Sequence, residues 1–161
     1  MSKNKPWFTM LVGLPACGKS TWRANALHRP HTVFLSTDDE IEKLCAAQGI
    51  TYDQGFKLFI DQAQKIMNEK MADAIRNRVD MVLDRTNLTK KSRARSMAQL
   101  PKEYIRRAFF FPIPDDTEWK RRLNSRPGKC IPQAVLDEMR LNFEMPSIDE
   151  GFDEVLSITN T

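Results

Sequence analysis

Cysteine and histidine are scarce in this chain of 161 residues, which contains three cysteines and two histidines. The cysteines, Cys17, Cys45 and Cys130, are odd in number and show no C-x-x-C spacing. A disulfide framework and a zinc site are therefore both disfavoured. With only His28 and His31 to add, the chain also offers too few ligands for a transition-metal centre.

Long apolar runs are absent as well. Apolar segments such as 109–113 are far too short to cross a bilayer. The first six residues carry two lysines, but no long apolar segment with a small-residue cleavage site follows them, so no secretory signal is visible. We therefore expect a soluble, cytoplasmic protein.

The composition that remains is typical of a globular domain, with 29% charged and 41% hydrophobic residues. These proportions exclude a disordered or collagen-like chain. The length is close to the common size of one domain, which predicts a single domain over residues 1–161.

Positive charge is concentrated in two stretches, although the net charge is only +4. Residues 133–161 carry a net charge of −6, so the first 132 residues carry +10. The stretches 85–95 and 120–129 each contain five basic residues. Such patches favour a polyanionic partner or substrate, although solvated helix faces would explain them as well.

Short apolar segments alternate with helical ones along the chain. Strands are predicted at 7–12, 32–35, 80–84, 104–111 and 155–158, and helices at 19–27, 37–46, 53–77, 89–100, 115–123 and 133–143. The T-x-x-E pattern from Thr37 to Glu40 predicts a capping box at the start of the second helix. The alternation predicts an α/β fold with a mostly parallel sheet and helices on both faces. Ligands of such sheets bind beyond the carboxyl ends of the strands.

The segment GLPACGKS, from Gly13 to Ser20, matches G-x-x-x-x-G-K-[ST] and lies between a predicted strand and a predicted helix. Its glycines let successive backbone N–H groups point at phosphate oxygens, and the helix N-terminus adds partial positive charge. The loop predicts a nucleoside-triphosphate site in which Lys19 reaches the β- and γ-phosphates and Ser20 ligates Mg²⁺. The other nucleotide-binding candidates are Gly13, Ala16, Cys17, Gly18 and Thr21.

The rest of the sequence limits the class of reaction that the phosphate loop serves. No N-K-x-D motif is present and the chain is short for a motor ATPase, so a small phosphotransferase is favoured. Such an enzyme needs a base near its acceptor hydroxyl. Asp38 and Asp39 follow the second strand at the same sheet edge, and Asp38 is the favoured base. Alternatively, both acids simply stabilise the first turn of a helix.

A second group of polar residues follows the third strand. Asp84 ends that strand, and Arg85, Thr86 and Asn87 offer donors that suit phosphate oxygens. These residues are candidates for the acceptor site, with an ordinary turn at a strand end as the alternative.

A third group lies beside Pro127 and Gly128. Arg122 and Arg126 fall in a segment, about 119–132, that is predicted to form a small helical lid over the nucleotide. Guanidinium groups suit that position because they pair with phosphate in two places and neutralise charge on the transferring group. Arginines that only solubilise a surface helix are the alternative.

Taken in order, these motifs resemble the P-loop polynucleotide 5′-hydroxyl kinases over nearly the whole chain. GLPACGKSTW is similar to the family's phosphate loop, STDDE to its acidic segment, and DRTNLTKKSRAR to its D-x-T-N stretch and basic helix. RRLNSRPGKCIP resembles the family's lid, and NFEMPSIDEGFDEVL a carboxyl-terminal segment of the eukaryotic members. The resemblance implies a Mg²⁺-dependent kinase that transfers the γ-phosphate of ATP to 5′-hydroxyl ends of DNA or RNA in end repair.

The resemblance also implies roles for individual residues. It makes Asp38 the general base, Lys19 and Ser20 the phosphate and magnesium residues, and Arg126 the lid arginine, supported by Arg122. It places Asp84, Thr86 and Asn87 on the acceptor side.

The sequence departs from the family at two positions. Thr37 stands where the family has an arginine, and Ile41 where the phage enzyme has an acceptor-binding arginine. Arg85 is a candidate to replace the latter. No D-x-D-x-T motif is present, so the resemblance includes the kinase without the 3′-phosphatase.

Two other functions stay open at this point. A kinase of the same fold could act on a small molecule such as a nucleoside, sugar or antibiotic, although such an acceptor needs no basic helix. A non-catalytic nucleotide-binding module would need no acid at position 38.

Overall fold

The computed structural model describes residues 4–159 and contains five parallel strands in the order β2-β3-β1-β4-β5. The strands are β1 (Trp7–Val12), β2 (Val33–Leu35), β3 (Met81–Asp84), β4 (Ile105–Phe110) and β5 (Glu154–Ser157). The helices are α1 (Lys19–Asn25), α2 (Thr37–Gln48), α3 (Tyr52–Asn77), α4 (Lys90–Met97), α5 (Asp116–Asn124) and α6 (Gln133–Asn142), with a 3₁₀ turn at Ile148–Glu150. The predicted α/β fold with a parallel sheet is confirmed.

The register of the sheet brings three strand ends together. Leu11 of β1 pairs with Asp84 of β3, and Leu35 of β2 pairs with Leu83. The carboxyl ends of β1, β2 and β3 therefore meet at one edge, where the phosphate loop, the start of α2 and residues 85–87 follow. This is the edge at which parallel sheets bind ligands.

Apolar side chains cover both faces of the sheet. On one face, Met67 and Met71 of α3 and Met97 of α4 pack with strand residues such as Phe8 and Met10. On the other, Trp119 of α5 and Leu136 of α6 pack with Leu11, Val82 and Phe109. Met67 and Met71 of α3 are thus core residues, a role that suits the flexible methionine side chain.

The capping box predicted from Thr37 to Glu40 is not observed at the start of α2. Ser36, not Thr37, is the N-cap, and its hydroxyl accepts from the Asp39 N–H at 3.2 Å. Glu40 is buried and pairs with Lys70 of α3, so it does not complete a capping box. A capping box does occur at α3, where Thr51 and Gln54 bond each other's backbone.

Within residues 4–159, no helix is both long and apolar enough to cross a membrane.

Candidate active site

A cleft of about 1090 Å³ opens at the edge where β1, β2 and β3 end. Four parts of the chain line it: the phosphate loop with the start of α1, the start of α2 with the first turns of α3, residues 84–86 after β3, and residues 118–139. The cleft therefore gathers most of the motifs that the sequence singled out.

The phosphate loop is shaped by two left-handed residues and one close contact. Ala16 and Gly18 have φ angles of 61° and 100°, which turn the chain between β1 and α1. Gly13 is buried, and a Cβ atom built on it would lie 2.9 Å from the Phe111 carbonyl oxygen. Its N–H donates to the Thr86 carbonyl at 3.0 Å, which ties the loop to the residues after β3.

Lys19 lies over its own loop. Its Nζ donates to the carbonyls of Gly13 at 2.6 Å and Leu14 at 2.8 Å. Burial lowers the pKa of the Lys19 ammonium, and the nearby Asp84 carboxylate opposes this shift. The ammonium is thus drawn out of water and held at the place where the motif predicts phosphate.

Cys17 lies in the middle of the loop. Its thiol is buried, and within residues 4–159 its one polar contact is with the Pro15 carbonyl, at 3.7 Å. Burial raises the pKa of this thiol, with the nearby Lys19 charge acting in the opposite direction. Cys17 therefore packs in the core beneath the loop, while the exposed Ser20 and Thr21, in the first turn of α1, line the cleft.

The two acids at the start of α2 are held differently. Asp38 is exposed to the cleft, and its Oδ1 accepts from the Tyr52 hydroxyl at 2.6 Å. Asp39 pairs with Arg23 of α1 at 2.7 Å. The Asp39 charge is thus neutralised within the protein, whereas Asp38 keeps an oxygen facing the cleft.

Asp84 ends β3, Arg85 follows it, and both residues line the cleft. Asp84 lies 3.4 Å from the same Arg23 guanidinium, and burial raises the pKa of its carboxyl, with Lys19 and Arg23 opposing. Arg85 is half-buried, and its guanidinium has no hydrogen bond or ion pair within residues 4–159. Burial lowers its pKa, while Asp38 raises it. A half-buried guanidinium with no such partner in the described residues is a ready anion ligand.

The side chains of Thr86 and Asn87 lie in different places. Thr86 lines the cleft, as expected. Asn87 is buried with a φ of 48°, and its Nδ2 donates to the Leu11 carbonyl at 2.7 Å. The predicted place of Asn87 on the acceptor side is therefore not observed, because its amide bridges β1 and β3 beneath the cleft.

The arginines after α5 also differ in their partners. Arg121 and Arg122 both donate to Glu118, at distances of 2.7 to 2.8 Å. Arg126 lines the cleft, and its guanidinium has no hydrogen bond or ion pair among the residues that the structure describes. Trp119 anchors α5 to the phosphate loop, since its Nε1 donates to the Pro15 carbonyl at 2.8 Å.

The loop from α5 to α6, residues 125–132, contacts the first turn of α3. Asp53 Oδ2 accepts from the Cys130 N–H at 2.8 Å, and the Asp53 N–H donates to the Gly128 carbonyl at 3.0 Å. Lys129 pairs with Glu42 of α2 and lies 4.3 Å from the centre of the Tyr52 ring. Sequence reasoning missed this role of α3, because a tyrosine and an acid in the first turn of an amphipathic helix carry no motif.

The basic residues of α4 are not all at the surface, although the sequence predicted a polyanion-binding patch or a solvated face there. The side chain of Arg93 is 0% exposed, bonds Glu150 at 2.8 and 3.1 Å, and donates to the Asn87 carbonyl at 2.8 Å. This arginine is therefore part of the framework that supports residues 85–87. Lys90, Lys91 and Arg95 are exposed, and none of them lines the cleft.

The sheet is parallel, a phosphate loop follows its central strand, and cationic side chains surround one cleft. Together these features define a P-loop nucleotide-binding fold of the kinase type. The chain belongs to the AAA domain family AAA_33, whose model matches residues 8–146.

One curated relative and two solved structures show the range of the similarity. The heterogeneous nuclear ribonucleoprotein U-like protein 2 of Mus musculus is 26% identical over 155 residues, which cover 91% of this chain and 20% of that protein. The chain thus spans about a fifth of the length of the curated relatives it matches. A chain of the Pnkp1/Rnl/Hen1 RNA repair complex has a TM-score of 0.65 at 19% identity, covering 88% of this chain and 45% of that one. A gluconokinase from Sinorhizobium meliloti 1021 has a TM-score of 0.53 at 14% identity, with 98% and 84% covered.

Proposed function

We propose that this chain is an ATP-dependent kinase that transfers the γ-phosphate of ATP to the 5′-hydroxyl end of DNA or RNA. One observation carries the proposal. One cleft is lined by the phosphate-loop Lys19, the exposed carboxylate of Asp38, and the guanidiniums of Arg85 and Arg126, which are unpaired within residues 4–159. This set supplies a donor site, a base and two anion ligands.

On the donor side, the N–H groups of residues 13–20 would receive the phosphates of ATP. The Lys19 ammonium would exchange the carbonyls of Gly13 and Leu14 for β- and γ-phosphate oxygens. The groups available for a metal are oxygen donors, namely the exposed hydroxyl of Ser20 and nearby carboxylates, which suit Mg²⁺. When bound, Mg²⁺ would neutralise charge on the β- and γ-phosphates.

On the acceptor side, Asp38 would take the proton of the acceptor hydroxyl. The acceptor oxygen would form a bond to the γ-phosphorus as the bond to the bridging oxygen of ADP breaks. Arg126 would stabilise the charge that spreads over the transferring oxygens. Among residues 4–159 its guanidinium has no ion pair, whereas Arg121 and Arg122 share the single carboxylate of Glu118.

A polynucleotide acceptor is supported by Arg85. Position 41, where the phage kinase carries its acceptor arginine, holds an isoleucine that is 0% exposed in the core, so it cannot contact an acceptor. Arg85 lines the same cleft, is unpaired in the described part of the chain, and would bind the phosphodiester next to the 5′-hydroxyl. The relatives fit this proposal, since one is named a ribonucleoprotein and another belongs to an RNA repair complex.

A small-molecule acceptor is the second candidate function. The burial of Arg93 removes one charge from the basic helix that favoured a polynucleotide, and the other bases of α4 lie outside the cleft lining. A gluconokinase carries the same fold. Arg85 would then bind an anionic group of a compact acceptor.

Transfer of label from γ-labelled ATP distinguishes the two candidates. We expect incorporation into oligonucleotides that end in a 5′-hydroxyl and none into matched oligonucleotides with a 5′-phosphate. Label in a nucleoside, a sugar or gluconate with none in either oligonucleotide would favour the second candidate. ATP binding without transfer to any acceptor would reject both.

A further inference from the structure

The first turn of α3 lies between the proposed base and the 125–132 loop. Tyr52 donates its hydroxyl to Asp38 Oδ1 at 2.6 Å, and its ring lies 4.3 Å from the Lys129 ammonium. The next residue, Asp53, bonds the backbone on both sides of that lysine, at Gly128 and Cys130. One helical turn therefore contacts both the acid and the loop that would cover the nucleotide.

We propose that Tyr52 is a positioning residue that orients the Asp38 carboxylate for proton transfer and links this orientation to the seating of the 125–132 loop. The proposal rests on the kinase function proposed above, and it assigns to Tyr52 no contact with the reacting atoms.

The geometry favours an orienting role because the bond to Tyr52 is the one hydrogen bond of the Asp38 carboxylate within residues 4–159. An exposed aspartate at a helix start otherwise samples several rotamers. With Oδ1 held by the phenol, Oδ2 is left to accept the acceptor's proton. A base held at a fixed angle avoids part of the entropy cost of reaching a reactive arrangement.

The phenol is suited to act as a permanent donor. Burial, the bond to Asp38 and the negative charges of Asp38 and Glu42 raise the pKa of Tyr52 above its ordinary value, while Arg126 opposes them. Tyr52 therefore keeps its proton over the pH range in which a kinase works, and Asp38 keeps a donor on Oδ1.

The ring and the hydroxyl of Tyr52 serve different contacts. The ring meets the Lys129 ammonium and tilts against Phe56, at a centroid distance of 5.8 Å. Among the residues that the structure describes, the hydroxyl bonds only Asp38. Tyr52→Phe therefore removes the contact with the base and keeps the contact with the loop, whereas Tyr52→Leu removes both.

Turnover measurements on four proteins test the proposal: wild type, Tyr52→Phe, Asp38→Asn and the double variant. We expect Tyr52→Phe to lower kcat about tenfold with the KM for ATP unchanged, because only the base loses its orientation. In the Asp38→Asn background the same change should cost less than about twofold, since the hydroxyl acts through the carboxylate. Wild-type turnover in Tyr52→Phe, or losses that multiply in the double variant, would overturn the proposal.

Hydrogen exchange of the protein without nucleotide tests the link to the loop. Tyr52→Leu should speed exchange of the Cys130 amide several-fold, whereas Tyr52→Phe should leave it at the wild-type rate. Equal exchange in both variants would remove the link. Tyr104 provides the matched control, because its hydroxyl bonds the Ala74 and Val79 carbonyls in the core, so Tyr104→Phe should lower stability but not kcat.

Failure of the proposed function has a different signature. If the wild type phosphorylates no 5′-hydroxyl oligonucleotide, that function is wrong, whatever Tyr52 does. The same four proteins are then compared by hydrolysis of ATP to ADP, with water as the acceptor that Asp38 deprotonates. Independent effects of Tyr52→Phe and Asp38→Asn in that assay would still reject the positioning role.

Discussion

The donor half and the acceptor half of the cleft are built in different ways. The groups of the donor half all belong to one continuous segment, residues 13–20, which Thr86 and Trp119 hold in place through bonds to Gly13 and Pro15. The acceptor half consists of side chains from separate segments, with Asp38 after β2, Arg85 after β3 and Arg126 after α5. A continuous motif therefore supplies the first half, and tertiary contacts assemble the second. Substitutions should accordingly affect the two halves differently.

The donor half should show the largest effect. Lys19→Ala removes the ammonium that would contact the β- and γ-phosphates, and we expect transfer to fall by roughly a thousandfold or more. Initial rates with γ-labelled ATP measure the loss. Lys65→Ala, an exposed change on α3, is the control and should transfer normally. Full activity in Lys19→Ala would remove the phosphate-loop argument.

The base of the acceptor half comes next. Asp38→Asn should lower kcat by about a hundredfold or more, because an amide cannot take the acceptor's proton, while ATP affinity is kept. Rapid-quench turnover and equilibrium ATP binding separate the two quantities. Asp39→Asn is the matched variant, since Asp39 is already paired with Arg23 and should lose less activity. The reverse order of effects would transfer the role of base to Asp39.

Arg85 should show a smaller effect, restricted to the acceptor. Charge-assisted hydrogen bonds are worth about 1.5–3 kcal/mol, so Arg85→Ala should raise the acceptor KM about tenfold or more and leave the KM for ATP unchanged. Steady-state kinetics with each substrate varied in turn check this split. Arg76→Ala, on an exposed i,i+3 pair of α3, should change neither constant. A raised KM for ATP alone would place Arg85 in the donor half.

The same division explains how much the sequence could predict. Strand and helix positions and the phosphate loop follow from local patterns, so β1, α1 and the loop appear where expected. The differing environments of Asp38 and Asp39 could not be predicted, because their partners Tyr52 and Arg23 are distant in sequence. No local pattern separates two adjacent acids whose roles depend on tertiary contacts.

Residues 87–93 show the same limit. A run of bases on a short helix is typical of a solvated face, but Arg93 turns inward to Glu150, which lies near the end of the chain. Asn87 likewise faces β1 and not the cleft. A basic run alone does not show which of its members is buried.

The exposed bases of α4 should show the smallest effect of all. Lys90, Lys91 and Arg95 are exposed, and changing all three to glutamine should raise the KM for a long oligonucleotide only a few-fold at low salt. The difference should vanish at high salt and be absent for a mononucleotide acceptor, because displaced counterions drive this contribution. Arg93 must stay in place, since its removal would leave Glu150 unpaired and cost about 3–5 kcal/mol of stability. Equal losses on long and short acceptors would show that α4 does not contact the strand, and that cleft arginines alone bind the acceptor.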